Sequence, residues 1–137
     1  ESGTHKKELS IWEKADVEPS GSWYQETGGS MGQTLNVASE KSGYAITDRA
    51  TYLSLLHNLS LEILIEGEES LLNIYHVMQV NPEKSDLINE DGARAFVEFM
   101  LSERGQALIG EFGVEEYGSP LFFPDAGKDP KEYGLDY

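Results

Sequence analysis

Short runs of β-branched and aromatic residues alternate along this chain with longer segments whose apolar residues recur at helical spacing. The runs SWYQET, YAIT, LEILIEG and LLNIYHVMQVN are predicted to be strands, and turn residues such as Gly67 and Pro82 bound them. In the intervening segments, apolar residues three or four positions apart indicate amphipathic helices. This alternation predicts an α/β fold with a mixed sheet between helical layers.

Five helices are predicted from local start and stop signals. The first ends before Pro19, and the second runs from about Met31 to Lys41, where Ser42 and Gly43 close it. Asp48 is expected to cap the third helix, and the fourth and fifth begin after Asn89 and Ser102. Periodicity predicts that these residues face a core: Leu35, Ala38, Ala93, Phe96, Val97, Met100, Leu101, Leu108, Ile109 and Phe112.

Composition narrows the classes of function. The chain has 137 residues, a formal net charge of -15 and no cysteine. The charge disfavours a phosphate backbone or an anionic membrane as a partner, so no nucleic-acid partner is expected. Without cysteine there is no disulfide, thiolate nucleophile or zinc–thiolate site. The start at Glu1, without Met or a leader, and apolar runs too short for a membrane span predict a mature or trimmed soluble fragment.

Three predicted helix starts share an unusual composition. SGTHKK, GSMGQT and DRAT open with hydroxyls, glycines, amides and basic residues, with Asp48 as their only carboxylate. The start NEDG, by contrast, places two acids in the first turn, where the helix dipole favours them. Starts that offer only donors suggest that a bound anion supplies the negative charge. Ordinary N-capping also explains each start taken singly, so both interpretations stay open from the residues alone.

Catalytic sites receive little support from the residues. His5 and Glu8 lie three positions apart and could present half of a metal site, but a solvated pair is expected. His57 and His76 are expected to have structural roles. GGSMGQT lacks the lysine of a nucleotide phosphate-binding loop. The prediction is therefore that the protein is not an enzyme.

Five collinear stretches carry a resemblance to a known family: SGTHKKELSIW, WYQETGGSMGQTLNVASEKSGYAITDRATYL, LLNIYHVMQVNP, GARAFVEFMLSERGQALIGEFGV and YGSPLFFPDA. From Ser2 to about Ala126, the chain resembles the tungstate-binding proteins of ABC importers. The resemblance implies a type II, two-lobed solute-binding fold, which closes on an oxyanion and delivers it to a membrane permease and its ATPase. It also implies a periplasmic or extracellular location, with or without a membrane anchor, and a tungstate or molybdate ligand without any cofactor.

The resemblance further implies which residues meet the oxyanion. The matched positions are the family's oxyanion stretch, a second glycine-rich turn and the TDR motif: Ser2, Gly3, Thr4, Gly29, Ser30, Met31 and Arg49. In the family, an arginine and an aspartate precede the first stretch, upstream of where this chain begins. The chain is thus expected to comprise a second lobe (residues 1–72), a crossover strand with C-terminal helices that return toward the first lobe (73–126) and a polar tail (127–137), with the first lobe missing.

Three questions stay open at this level. Tungstate, molybdate and sulfate are dianions that need only donors, whereas protonated phosphate also needs an acceptor, so the residues do not choose among the dianions. An effector-binding domain of a transcription regulator, which can share the two-lobed fold, is the alternative function.

Because the C-terminal helices would lack the first lobe, a homo-oligomer is expected, with exchange of the C-terminal element at residues 67–73 as one route.

Overall fold

The computed structural model describes residues 2–129 and 131. In this part of the chain the α-helices are α1 (Gly3–Lys14), α2 (Met31–Lys41), α3 (Arg49–Leu55), α4 (Glu90–Leu101), α5 (Glu103–Glu111) and α6 (Val114–Tyr117). Single 3₁₀ turns span Leu56–Asn58, Glu69–Leu71 and Pro82–Lys84. The chain divides into two compact units, Glu1–Ile63 with α1 to α3 and Leu64–Tyr137 with α4 to α6.

The predicted helix boundaries are confirmed where local caps define them. Helix α2 spans Met31–Lys41 and ends at Ser42, which takes a left-handed conformation with φ of 51°. The N–H of Gly43 then donates to the Ala38 carbonyl at 2.8 Å, so one of the unpaired carbonyls at the helix end is satisfied. Asp48 caps α3, and Asn89 caps α4, both as predicted.

The core of the first unit lies where α2 packs on α3. Leu35 is 1% exposed, and Ala38 and Tyr52 are also buried, which confirms the predicted inner face of α2. Burial of one leucine side chain contributes about 1.5–3 kcal/mol. The Tyr52 hydroxyl donates to the Leu61 carbonyl at 3.0 Å, so the polar end of this side chain is satisfied.

In the second unit, Ser102 joins α4 to α5. Its hydroxyl donates to the Phe99 carbonyl at 2.7 Å and accepts from the Gly105 N–H at 3.1 Å, so one side chain ends the first helix and caps the second. Gln106 connects the following segment to the same corner: its amide donates to the Met100 carbonyl at 2.7 Å, and its oxygen accepts from the Asp125 N–H at 2.8 Å. Hydrogen bonds from Ser102 and Gln106 therefore stabilise the junction between α4 and α5.

The predicted mixed sheet is not confirmed. None of the described residues forms a strand, and the segments SWYQET, YAIT, LEILIEG and LLNIYHVMQVN are irregular apart from 3₁₀ and turn positions. Tyr44, expected in a buried strand, is 90% exposed, and Met78 is 82% exposed. A β-strand requires a neighbour to pair its N–H and C=O groups, and β-propensity alone does not supply that neighbour. The runs are therefore strand-like in composition without strand partners.

The predicted core faces of α4 and α5 are also less covered than expected. Phe96 is 58% exposed and Phe112 is 59% exposed, and Leu101 and Leu108 are exposed as well. Part of this apolar surface packs locally, since the rings of Phe112 and Phe122 stack with centroids 6.2 Å apart. Periodicity identifies the apolar face of a helix correctly, but it does not state what covers that face.

The predicted division at residues 72 and 126 remains a prediction, because compactness alone does not define the lobes of a binding protein. Residue 130 and residues 132–137 of the predicted polar tail lie outside the described residues, as does Glu1.

Candidate functional site

The start of α1 carries the stretch Ser2, Gly3 and Thr4. Ser2 is the N-cap residue, with extended backbone, yet its side chain makes no cap hydrogen bond. Its carbonyl accepts from the Lys6 N–H at 3.1 Å, which begins the helical ladder. The first turn contains no acid, Ser2 and Gly3 are exposed and Thr4 is half-buried. This start therefore presents a hydroxyl that is not engaged as a cap, at the positive end of a twelve-residue helix.

The start of α2 is organised differently. Ser30 forms a capping box with Gln33: the Gln33 N–H donates to the Ser30 hydroxyl at 3.3 Å, and the Ser30 N–H donates to the Gln33 amide oxygen at 2.8 Å. Two of the first donors of this helix are thus already paired. Among the predicted residues here, the Met31 N–H lies in the first turn, where helical geometry leaves it without an intrahelical acceptor.

The glycine turn before α2 borders a concave surface. Gly28 has φ of +63°, a conformation that glycine adopts without strain. The hydroxyls of Thr27 and Thr34 are 2.7 Å apart, which ties the turn to the first turns of α2. The adjoining hollow has a volume of about 540 Å³ and is lined by Thr27, Gly28, Gly29, Gln33, Asn36 and Val37.

At the start of α3, the Asp48 carboxylate is fully engaged as a cap. It accepts from the Thr51 N–H at 2.8 Å, and the Thr51 hydroxyl lies 2.9 and 2.8 Å from its two oxygens. Arg49 is the first residue of α3 and is half-buried. The capping role predicted for Asp48 is confirmed, because its carboxylate forms these hydrogen bonds within the first turn of α3.

The contrast between the helix starts also holds in the structure. Helices α1, α2 and α3 have no acid in the first turn, whereas α4 has Glu90 and Asp91 there. Arg94 pairs with both of these acids on the surface of α4. All seven predicted oxyanion residues belong to the unit Glu1–Ile63, which holds the three starts that lack acids.

Sequence analysis missed a polar cluster on α1. His5 and Glu8 were expected to be a solvated pair, but Nε2 of His5 lies 3.4 Å from the Tyr24 hydroxyl and 3.8 Å from the Glu26 carboxylate. Glu8 accepts a hydrogen bond from Nε1 of Trp12 at 3.1 Å. The spacing of positions 5, 8 and 12 places these side chains on one face of α1, which was a usable signal. Nothing in the local sequence identified the partner segment.

The partner segment packs on that face through aromatic contacts. The rings of Trp12 and Trp23 meet edge to face with centroids 5.6 Å apart, and Trp23 meets Tyr24 at 5.8 Å. Burial, the charges of Glu8 and Glu26, and a hydrogen bond to Glu8 raise the pKa of the Tyr24 hydroxyl above its ordinary value. Tyr24 is therefore neutral near pH 7 and can donate one hydrogen bond while accepting another.

Other sequence expectations concern metals, histidines and membranes. Within the described residues, no group of three His, Asp or Glu side chains lies close enough together to hold a metal ion. His57 lies in the exposed 3₁₀ turn Leu56–Asn58, and His76 lies in an exposed irregular segment. No helix in the described part of the chain combines the length and the apolar composition that a membrane span requires.

Comparison with known proteins identifies the fold family. Residues 1–104 match the model of the PBP superfamily domain. The chain is 49% identical over 128 residues to the tungstate-binding protein TupA of Peptoclostridium acidaminophilum, a match covering 93% of this chain and 45% of that protein. This chain therefore spans about half the length of the relatives that it matches.

Two solved structures are similar in fold as well as in sequence. The tungstate-binding protein TupA of Desulfovibrio alaskensis G20 superposes with a TM-score of 0.72 at 41% identity, covering 91% of this chain and 52% of that one. The tungstate ABC transporter structure from Geobacter sulfurreducens gives a TM-score of 0.70 at 38% identity, covering 81% and 47%. With more than half of its residues matched by the family model, the chain belongs to the PBP superfamily.

Proposed function

We propose that this chain is part of an extracytoplasmic solute-binding component of an ABC importer and that its ligand is a tetrahedral oxyanion, tungstate or molybdate. The observation that carries the proposal is the similarity to tungstate-binding proteins along 93% of the chain. The stretch Ser2, Gly3 and Thr4, at a helix start without acids, is consistent with this ligand.

The proposed chemistry is recognition by donors alone. A dianion without protons can accept hydrogen bonds from hydroxyls and backbone N–H groups but has none to donate. The Ser2 hydroxyl makes no cap bond, and the first-turn N–H groups of α1 point toward the same end of the helix. Thr4 adds a second hydroxyl within that turn. We assign the principal contacts of this chain to residues 2–4.

The remaining assigned residues have secondary roles in this proposal. Because the N–H of Ser30 is already paired, the second turn contributes through the Ser30 hydroxyl proton and the Met31 N–H, with Gly29 allowing close approach. Arg49 contributes positive charge from the start of α3. The function is binding and delivery rather than catalysis.

We also propose that the strand-like runs pair within a longer protein. The matched relatives are about twice the length of this chain, and the exposed runs around Ile65 and Met78 have the composition of strands. In that longer protein the first lobe would complete the oxyanion site, a membrane permease and its ATPase would receive the anion, and the location would be periplasmic or extracellular.

Taken alone, the chain is proposed to self-associate. The exposed aromatic residues on α4 and α5, including Phe96 and Phe112, would leave apolar surface in water unless another segment covers it. Light scattering on the isolated chain should therefore show a dimer or a larger assembly, with exchange of the C-terminal element as one arrangement. A monomer across the accessible concentrations would contradict this part of the proposal.

Calorimetry with the full-length protein that contains this chain tests the proposed ligand. We expect tungstate and molybdate to bind much more tightly than sulfate or phosphate. Tightest binding of phosphate would refute the tungstate assignment, and no heat with any tetrahedral anion would refute oxyanion binding itself. The isolated chain should bind tungstate far more weakly, because one unit supplies only part of the donors.

A further inference from the structure

Residues 23–30 run from the side of α1, where Trp23 and Tyr24 pack, to Ser30, the cap at the start of α2. The proposed function assigns the starts of both helices to one ligand. The segment contains no regular secondary structure. Its conformation therefore depends on side-chain contacts rather than on a backbone ladder.

Both ends of this segment are fastened. At the α2 end, the Thr27 hydroxyl contacts Thr34 at 2.7 Å and accepts weakly from the Gly29 N–H at 3.4 Å. At the α1 end, the Tyr24 hydroxyl lies 3.4 Å from Nε2 of His5, and the Trp23 ring meets Trp12 edge to face. Tyr24 and Thr27 are three positions apart, a span of about 11 Å at full extension. With both ends held, the glycine turn has little freedom to move relative to the start of α1.

The polar contact at the α1 end lies beside the proposed oxyanion stretch. The Tyr24 hydroxyl is 3.4 Å from Nε2 of His5, and His5 follows Thr4 directly. A tyrosine hydroxyl and an imidazole nitrogen can each donate or accept, so this pair can form one hydrogen bond in either direction. The aromatic contact between Trp12 and Trp23 is separate from this bond. Loss of the tyrosine hydroxyl would therefore remove the polar contact and leave the aromatic contact in place.

We propose that Tyr24 is a positioning residue: its hydroxyl holds the turn at Gly28 and Gly29 in a fixed place relative to residues 2–4, so that the two helix starts act on the same oxyanion. This inference rests on the proposed function. Tyr24 itself does not touch the anion. It acts by restricting the turn before the anion arrives, which reduces the ordering required on binding.

The first test replaces the hydroxyl alone. In the full-length protein, Tyr24→Phe should weaken tungstate binding roughly two- to tenfold, the equivalent of one neutral hydrogen bond. Amide hydrogen exchange at Gly28 and Gly29 should become faster without any ligand present. Tyr44→Phe is the matched control, because Tyr44 is 90% exposed and its hydroxyl has no role in either helix start.

A second set of variants separates positioning from a general loss of stability. His5→Gln keeps a polar partner for Tyr24, whereas His5→Leu removes it. We expect His5→Gln to bind tungstate more tightly than His5→Leu. Tyr24→Phe should have no further effect in the His5→Leu background, because both changes break the same hydrogen bond.

The outcomes distinguish this inference from the proposed function. If the wild-type protein binds tungstate and Tyr24→Phe binds it equally well, positioning by Tyr24 is overturned while oxyanion binding stands. Unchanged exchange at Gly28 and Gly29, or fully additive losses in the double variant, would also overturn it. If the wild-type protein binds no oxyanion, the proposed function fails, and the exchange rates still decide whether Tyr24 holds the turn.

Discussion

Replacement of Gly105 by alanine should destabilise the second unit even though alanine is the better helix former. Gly105 lies near the start of α5 and is buried against the end of α4. A Cβ atom placed on it would overlap the Phe99 carbonyl oxygen and lie 3.1 Å from the Phe99 carbonyl carbon and 3.3 Å from Cα of Met100. These neighbours are backbone atoms, so the overlap cannot be relieved by rotation of a side chain.

The expected change in the free energy of unfolding follows from two destabilising effects and one stabilising effect. Overpacking at such a contact costs about 1–3 kcal/mol. A shift of the helix start would also weaken the bond from the Gly105 N–H to the Ser102 hydroxyl, worth about 0.5–1.5 kcal/mol. The gain in helix propensity from glycine to alanine is only about 0.5–1 kcal/mol. We therefore expect a net loss of about 1–3 kcal/mol in the free energy of unfolding.

Urea unfolding followed by far-ultraviolet circular dichroism measures this loss as a lower midpoint. The matched control is Ala107→Gly, since Ala107 is exposed on the same helix. Propensity alone predicts opposite effects, with alanine at 105 stabilising and glycine at 107 destabilising. The contact predicts that both variants lose stability. A Gly105→Ala protein as stable as the wild type would show that the α4 and α5 backbones do not approach each other as described.

Gln106→Leu should lower the free energy of unfolding by about 1–3 kcal/mol, because it removes the hydrogen-bond partner of the Met100 carbonyl and of two N–H groups. Hydrogen exchange at Asp125 should become faster, and unchanged exchange there would contradict the contact. Ser42→Gly should stabilise the chain by about 0.5–1 kcal/mol in urea unfolding, because φ is 51° there, and a loss of stability would refute the left-handed cap. Thr4→Val in the full-length protein should weaken tungstate binding about ten- to a hundredfold by calorimetry, since a charge-assisted hydrogen bond is lost. An unchanged dissociation constant would leave Thr4 a purely structural residue.

Features of the candidate site were predictable in part. The composition of the helix starts predicted the contrast between α1 and α4, and the structure shows that the Ser2 side chain makes no cap bond. The oxyanion role of residues 2–4, which the family resemblance implies, stays a prediction. Sequence did not reveal that Gln33 pairs the Ser30 N–H, although a Ser followed three residues later by Gln is a recognisable capping box. It gave no indication that Tyr24 docks beside His5, because these residues are 19 positions apart and share no repeating pattern.

The starts of α2, α3 and α4 were determined by sequence alone. Each depends on a cap that acts within about four residues, such as Ser30 with Gln33 or Asp48 with Thr51, so the information is local. Tertiary structure decided three other features: whether the strand-like runs pair, which apolar helix faces are covered, and how residues 23–26 dock on α1. Those features depend on which distant groups meet, and neither β-propensity nor helical periodicity specifies the partner. The same apolar spacing thus led to a buried Leu35, where α3 packs on α2, and to an exposed Phe96.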